Sequence, residues 1–300
     1  MAIETLIKTT FSDAFRDEIW QELTAGRLLS PEFKKNIAFG DEVNVQFDGQ
    51  VTLEDYTGGD LDATNVETAS TTTVKVKINR GKSVIFKLDD AKIRQIKDAK
   101  TDGEKVALAR AYSEDAREQF ARAVNKACCE QYVRAGHMIT ANDDGTTAIT
   151  ITSDMVHKLF AKAKSVLKKG DGKGHTAWKN NEMIAIIDTD MEAFMSTQNL
   201  LQYSDTMAKH YKNGFAGRFM GFDVLVDDEI AKDENGNTYP LFGRQKKTIA
   251  GGIQDNFELE SGKKVGGFDV HYWGKGVFGV KAPLSYLLVT AKVKSDFKIA

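Results

Sequence analysis

Between Glu104 and Arg134 the chain holds neither proline nor glycine, and it is dense in Ala, Glu, Arg and Gln. These residues lose little conformational freedom in a helix. The stretch predicts one uninterrupted helix of about 30 residues, a rod of roughly 45 Å. Ala109, Tyr112, Ala116, Phe120, Ala123 and Ala127 trace a narrow stripe of mostly small residues, which predicts close packing against a sheet or another backbone. Glu118 with Arg122 and Glu130 with Arg134 stand in the favourable order for helical ion pairs, and Gly136 stops the segment. This rod is a spine on which the remaining elements must be arranged.

Ahead of the spine the periodicity changes twice. Phe11, Phe15, Ile19 and Leu23 recur every four residues, which predicts an amphipathic helix entered at Thr10 with Asp13 in a weak capping position and ended by Gly26 and Pro31. Its single apolar stripe must dock on its own chain or on a neighbour's. From Asp41 to Leu88 the period is two: Val43, Val45 and Phe47, then Val74, Val76 and Ile78, then Val84, Phe86 and Leu88. The first two strands are separated by more than 20 polar residues rich in Thr and Gly, a length that inside a compact domain marks a functional or interacting loop. Residues 41 to 73 carry eight acids and no Lys or Arg, whereas the return strands carry Lys75, Lys77, Arg80, Lys82 and Lys87 before the next acid, Asp89. Opposite charges on the two arms either steady a projecting hairpin, steer it onto a neighbouring subunit, or form two solvated faces. A short helix is expected from Asp90 to Lys97.

After the spine, helices and strands alternate without a regular βαβ rhythm, so the fold class is α+β. Ile149–Thr152 reads as a short strand. Ser153 is the expected cap of a helix with Val156, Leu159, Phe160, Ala163, Val166 and Leu167 inward, Lys168 and Lys169 in its last turn and Gly170 after it. Met183–Ile187 reads as a buried strand, followed by a helix holding Met191, Phe194 and Met195 and capped by Asp188 or Thr189. Further strands are expected at Phe222–Val226, Thr248–Ala250, Phe268–Tyr272, Val277–Val280 and Tyr286–Val289, with a turn at Glu234–Asn237.

No chemistry-bearing motif emerges. The five histidines are scattered, and neither HExxH nor CxxC occurs, so zinc has no sequence support. Lys168–Thr176 lacks the spacing of a phosphate loop, and Asp233–Thr238 lacks the sixth-position glycine of a calcium loop. Asp227, Asp228 and Glu229 read as a solvated strand end. Lys158, Lys162, Lys164, Lys168, Lys169, Lys173 and Lys179 form a basic stretch that suits a solvated helix face better than non-specific phosphate contacts. Cys128 and Cys129 are adjacent and point about 100° apart on a helix, so the two thiols fit a reducing interior. A formal net charge of -2 argues against a dedicated nucleic-acid binder. No run of 18 apolar residues spans a membrane, and the N-terminus has no secretory pattern.

The order of elements, carried by FSDAFRDEIWQELTAGRLLSPEF, VTLEDYTGG, FKLDDAKIRQIKD, KVALARAYSEDAREQFARAVNKACCEQYV, MIAIIDTDMEAFMST, GFAGRFMGFDVLVDDEI and FGVKAPLSYLLVTAK, resembles the major capsid (coat) proteins of tailed bacteriophages. Encapsulin shells share that fold. The resemblance implies an N-terminal arm (1–38), an extended β-hairpin loop (39–88), a peripheral domain with the spine helix (89–150) and an axial domain (151–300), with part of about 255–282 returning to the peripheral domain. It implies pentamers and hexamers closing into an icosahedral shell around double-stranded DNA, with a scaffolding protein and a portal protein as partners, in a virion assembled in the host cytoplasm. No cofactor, metal, membrane or catalytic residue is implied. The candidate contacts between subunits are Phe15 and Ile19 in the arm, Tyr56, Gly58, Gly59, Asp60 and Asp62 in the loop, and Lys75 and Lys77 on the return strand. Some members join subunits by isopeptide bonds from a loop lysine; residues 41–73 contain none, so a noncovalent shell is expected. The chain begins within the arm, so a separate scaffolding protein is expected. The alternatives are an encapsulin-like nanocompartment holding a cargo protein, and an α+β enzyme with an unrecognised site.

Overall fold

The computed structural model describes residues 23–34, 39–47, 72–88, 102–172, 176–202, 214–254, 259–263 and 270–294. The chain opens with a 3-10 turn, Ala25–Leu28, and β1 (Leu29–Lys34), followed by the hairpin strands β2 (Glu42–Phe47) and β3 (Thr72–Lys77) and by β4 (Arg80–Leu88). The spine is α1 (Asp102–Cys129), continued by a 3-10 turn, Glu130–Arg134. Next come β5 (His137–Ile139), β6 (Ile149–Thr150), α2 (Ser153–Lys169), β7 (Met183–Ile187) and α3 (Thr189–Thr197). The last third holds β8 (Phe215–Phe219), β9 (Phe222–Val226), β10 (Asn237–Thr238), β11 (Leu241–Arg244) and β12 (Ile249–Gln254). It closes with β13 (Leu259–Lys263), β14 (Val270–Lys281), a 3-10 turn at Ser285–Leu287, β15 (Leu288–Ala291) and β16 (Val293–Lys294). The fold is α+β, as the sequence predicts. Among the described residues, no helix is long and apolar enough to cross a membrane.

Two sheets organise the chain. In the first, the 12-residue β14 is paired along one edge by β4 and along the other by β12 and β13 in tandem, with β1 parallel to β12 outside them. The second has the order β5-β15-β11-β7-β9-β8. Its central strand β7 is buried at every position: Ile184 and Ile186 face the core shared with α1, while Met183, Ala185 and Ile187 face the core shared with α2 and α3. That alternation is the period-two consequence of a sheet covered on both sides. On the α2 side, Phe160 meets Phe219, Phe222 and Phe242 edge-on, with ring centroids 4.9–5.7 Å apart, the arrangement that ring quadrupoles favour.

The spine's described side chains explain the small-residue stripe. Ala116, Phe120 and Ala127 are buried as expected, and so are Ala121, Val124, Cys128 and Cys129, so the buried face is wider than the stripe. Gly276 of β14 lets α1 approach: a methyl there would lie 2.5 Å from the Phe120 ring. Glu118 and Arg122 bond at 2.8 Å as expected. Glu130 does not pair with Arg134; it accepts from Arg80 Nη2 at 2.5 Å, because the helix tightens to 3-10 geometry there and Arg80 starts the strand alongside.

Other expectations are corrected. Pro31 does not end a helix but lies inside β1, whose partner β12 supplies the pairing. The described part of the strand expected at Phe268–Tyr272, from Val270 on, and the strand expected at Val277–Val280 belong to one continuous strand, β14, because β4 pairs straight through Gly274 and Gly276. Tyr286 and Leu287 form a 3-10 turn before β15. Thr152, not Ser153, caps α2, accepting from the Met155 N–H at 3.3 Å. The Asp90–Lys97 helix and most of the opening helix lie outside the described residues.

Candidate assembly interface

The β2–β3 hairpin is seated by glycines. Val43, Val45, Val76 and Ile78 form a small core with Ala250 and Val277. A methyl on Gly252 would lie 2.9 Å from both Val43 and Ile78, and one on Gly279 would collide with the Lys77 carbonyl, so only bare backbone admits the hairpin this closely. Lys75 and Lys77, both proposed as contacts between subunits, are exposed on β3. Lys75 Nζ stands 3.7 Å from Glu42, and Lys77 faces Glu42 in register. Opposite charge thus bridges the two arms of one hairpin at its base. Phe15, Ile19, Tyr56, Gly58, Gly59, Asp60 and Asp62 lie outside the described residues.

The hairpin has a direction. Gly279 lies under Lys77, and Lys281 Nζ reaches the Lys75 carbonyl at 3.5 Å. Moving toward the hairpin tip along β3 therefore means moving toward the C-terminal end of β14.

The opposite end of β14 carries an exposed apolar pair that sequence reading missed. Ile85 (71% exposed) and Trp273 (38% exposed) are directly paired across β4 and β14. Trp273 lies over Gly262 and donates from Nε1 to Glu260 at 2.7 Å. Around them the register sets His271 opposite Lys87 and Lys275 opposite Ser83. The signal was present: Ile85 interrupts the polar alternation between Val84 and Phe86. Trp273, however, fell between two supposed strands.

A cleft of about 430 Å³ lies between α1 and the end of β9, lined among others by Glu118, Arg122, Asp227, Asp228 and Glu229. Here the reading of Asp227 as part of a solvated strand end fails: it is 7% exposed, because the Ala25–Leu28 turn packs against it. Burial holds its carboxyl above the usual carboxylate range, offset in part by the N–H donors of Glu229 and Ala25. The basic stretch is dispersed: Lys158 pairs with Asp154, Lys162 with Asp143 and Lys179 with Glu182, while Lys164 lies over the Trp178 ring. Asp233–Thr238 is a turn knotted by its own aspartate, which accepts from the Asn235 and Asn237 N–H groups. Cys128 and Cys129 are free, and burial pushes both thiols up, away from reactive thiolate character. Among the described residues, no three potential metal ligands gather.

No protein-family model matches the sequence, and no curated protein matches it. Solved structures do resemble the fold. The capsid of Ralstonia phage GP4 aligns over 92% of this chain and 91% of that chain, with a TM-score of 0.63 at 9% identity. The head structure of Helicobacter pylori bacteriophage KHP40 aligns over 92% of each chain, with a TM-score of 0.60 at 7% identity. A virus-like particle from Pyrococcus furiosus covers 94% of this chain and 98% of that chain, with a TM-score of 0.52 at 12% identity. The spine helix, the two sheets and the seated hairpin are together the fold of bacteriophage capsid proteins, which the archaeal virus-like particle shares.

Proposed function

We propose that this chain is a major capsid protein whose copies assemble into an icosahedral shell around double-stranded DNA. The observation that carries this reading is the likeness in fold, over nine-tenths of both chains, to subunits of a phage capsid and a phage head. Supporting it, the described base of the hairpin sits on Gly252 and Gly279, and β4 and β14 present apolar surface to solvent. Both gain stability when a neighbour covers them, so stability belongs in part to the lattice. In this reading residues 1–38 are the arm, 39–88 the extended loop, 89–150 the peripheral domain and 151–300 the axial domain. Pentamers and hexamers form the shell, with a scaffolding protein and a portal protein as partners, in a virion assembled in host cytoplasm.

Electron microscopy of the purified protein, alone and co-expressed with a candidate scaffold, tests this: closed shells or capsomer rings are expected, and persistent monomers overturn it. Deleting Thr57–Thr64 should leave the subunit folded and impair assembly. A second reading, a nanocompartment holding protein cargo, draws on the likeness to the Pyrococcus furiosus particle. Particles purified from the native source that contain protein and no DNA favour it over a genome container.

A further inference from the structure

We propose that Lys164 and Lys168 of α2, gathered over the Trp178 ring, form a contact site for the phosphodiester backbone of nucleic acid. The choice of nucleic acid rests on the shell reading, in which the subunit works beside a genome. The site itself rests on how the structure sorts the lysines of the basic stretch. Lys158, Lys162 and Lys179 each have a carboxylate, on Asp154, Asp143 and Glu182. Among the described residues, Lys164 and Lys168 have none. Their ammonium groups lie 4.9 and 5.7 Å from the centroid of one indole.

Like charges one turn apart on a helix repel, so this convergence needs support. The indole face attracts both cations, the Met220 carbonyl accepts from Lys164 Nζ at 3.0 Å, and Lys168 stands in the last turn of α2, where the helix dipole favours a cation. Trp178 is fixed in turn: its ring meets Phe222 edge-on at 5.2 Å, and Nε1 donates to Asn180 at 2.8 Å. Gly221, at the tip of the β8–β9 hairpin, leaves room for the group; a methyl there would lie 3.3 Å from the indole and 3.5 Å from Lys164 Nζ. Two positive charges are thus held about 6 Å apart along the helix axis, and an anion between them would relieve their repulsion. Arg218, on the same hairpin, is engaged with Asn181 and Asp223. Lysines act on phosphate as point charges, without the planar fork that arginine offers a carboxylate. Such a site reads charge and not sequence. With ammonium groups over the indole, the ring is not a stacking platform for bases, so a duplex is the expected form.

The test is fluorescence anisotropy of a short labelled DNA duplex with the unassembled full-length chain, between about 50 and 200 mM salt. Lys164→Gln/Lys168→Gln keeps good helix formers. It should weaken binding at low salt at least about tenfold and reduce the slope of log K against log salt by about 2. Lys164→Arg/Lys168→Arg should keep the wild-type slope. Lys158→Gln/Lys162→Gln, with the same change in net charge, should move the slope by less than about 1. Thermal melts check folding. A wild-type chain that does not bind overturns the site, and so do equal losses in the two glutamine variants, because net charge alone would then be acting. Polyglutamate that displaces the duplex at equal charge overturns nucleic acid as the ligand and makes an acidic protein the partner. Electron microscopy scores assembly separately. Chains that assemble without binding overturn the site and leave the shell reading, whereas chains that bind and never assemble overturn the shell reading and leave the site.

Discussion

Asp227, just past the end of β9, accepts a hydrogen bond through Oδ2 from the Ala25 N–H at 3.2 Å, joining positions 202 residues apart. The next residue, Gly26, donates its N–H to Asn125 Oδ1 of the spine at 3.1 Å. Two buried side-chain acceptors, one on α1 and one just past β9, thus satisfy donors of a 3-10 turn that has no side-chain cap of its own. Spine, second sheet and the entry to β1 meet at this junction.

Replacing Asp227 by Ala should cost about 2 kcal/mol, because it strands the buried Ala25 N–H. Asp227→Asn keeps one oxygen acceptor for the buried Ala25 N–H and removes a charge that burial disfavours, but turns its NH2 toward the Glu229 N–H, so it should cost less than the alanine change without being neutral. Denaturant unfolding measures both, and equal losses in the two variants would show that the acceptor is not what matters.

A methyl at Gly279 meets the Lys77 backbone, which cannot swing aside as a side chain can. Gly279→Ala should destabilise by roughly 1–3 kcal/mol, and the effect should be local. Hydrogen exchange should rise in β2 and β3 while β7 and β9 keep their protection.

Asp188 caps α3 in extended geometry, yet both carboxylate oxygens are buried without a hydrogen-bond partner. Burial first, then Asp190, raises its pKa above the ordinary 3.8. A carboxyl raised in the folded state contributes stability below its unfolded pKa and loses it as pH rises through the folded value. Asp188→Asn, an equally good cap, should therefore melt higher than wild type at pH 7. The gap should close as pH falls toward 3.8; a gap independent of pH would exclude ionisation as the cause.

Assembled particles should run as a single-chain band on a denaturing gel. The acid-only stretch offers no lysine for an isopeptide bond, and Lys75 is engaged with Glu42 at the hairpin base. A ladder of multimers would contradict this.

Periodicity made the helices legible. Nothing between Glu104 and Arg134 breaks a helix, and α2 buries the expected Val156, Leu159, Phe160, Ala163 and Leu167. The signal is local in each case, since a residue's helical neighbours lie within one turn. β1 was not legible, because Leu29–Lys34 contains a proline and owes its extended form to pairing with β12, more than 200 residues away. The continuity of β14 through its glycines was hidden for the same reason: low strand propensity at Gly274 and Gly276 is overridden by β4 on one edge and the Phe120 ring above.

The candidate interface divides along the same line. Sequence alone determined the spine, the α+β class, the acidic stretch 41–73 and its basic return strands, because these depend on spacing and composition. Only the tertiary structure decided that Asp227 is buried, that Lys75 reaches Glu42, and that Ile85 and Trp273 stand together exposed on one face. Burial and cross-strand neighbours depend on which distant strands pair, and a one-residue change of register would turn every side chain to the opposite face.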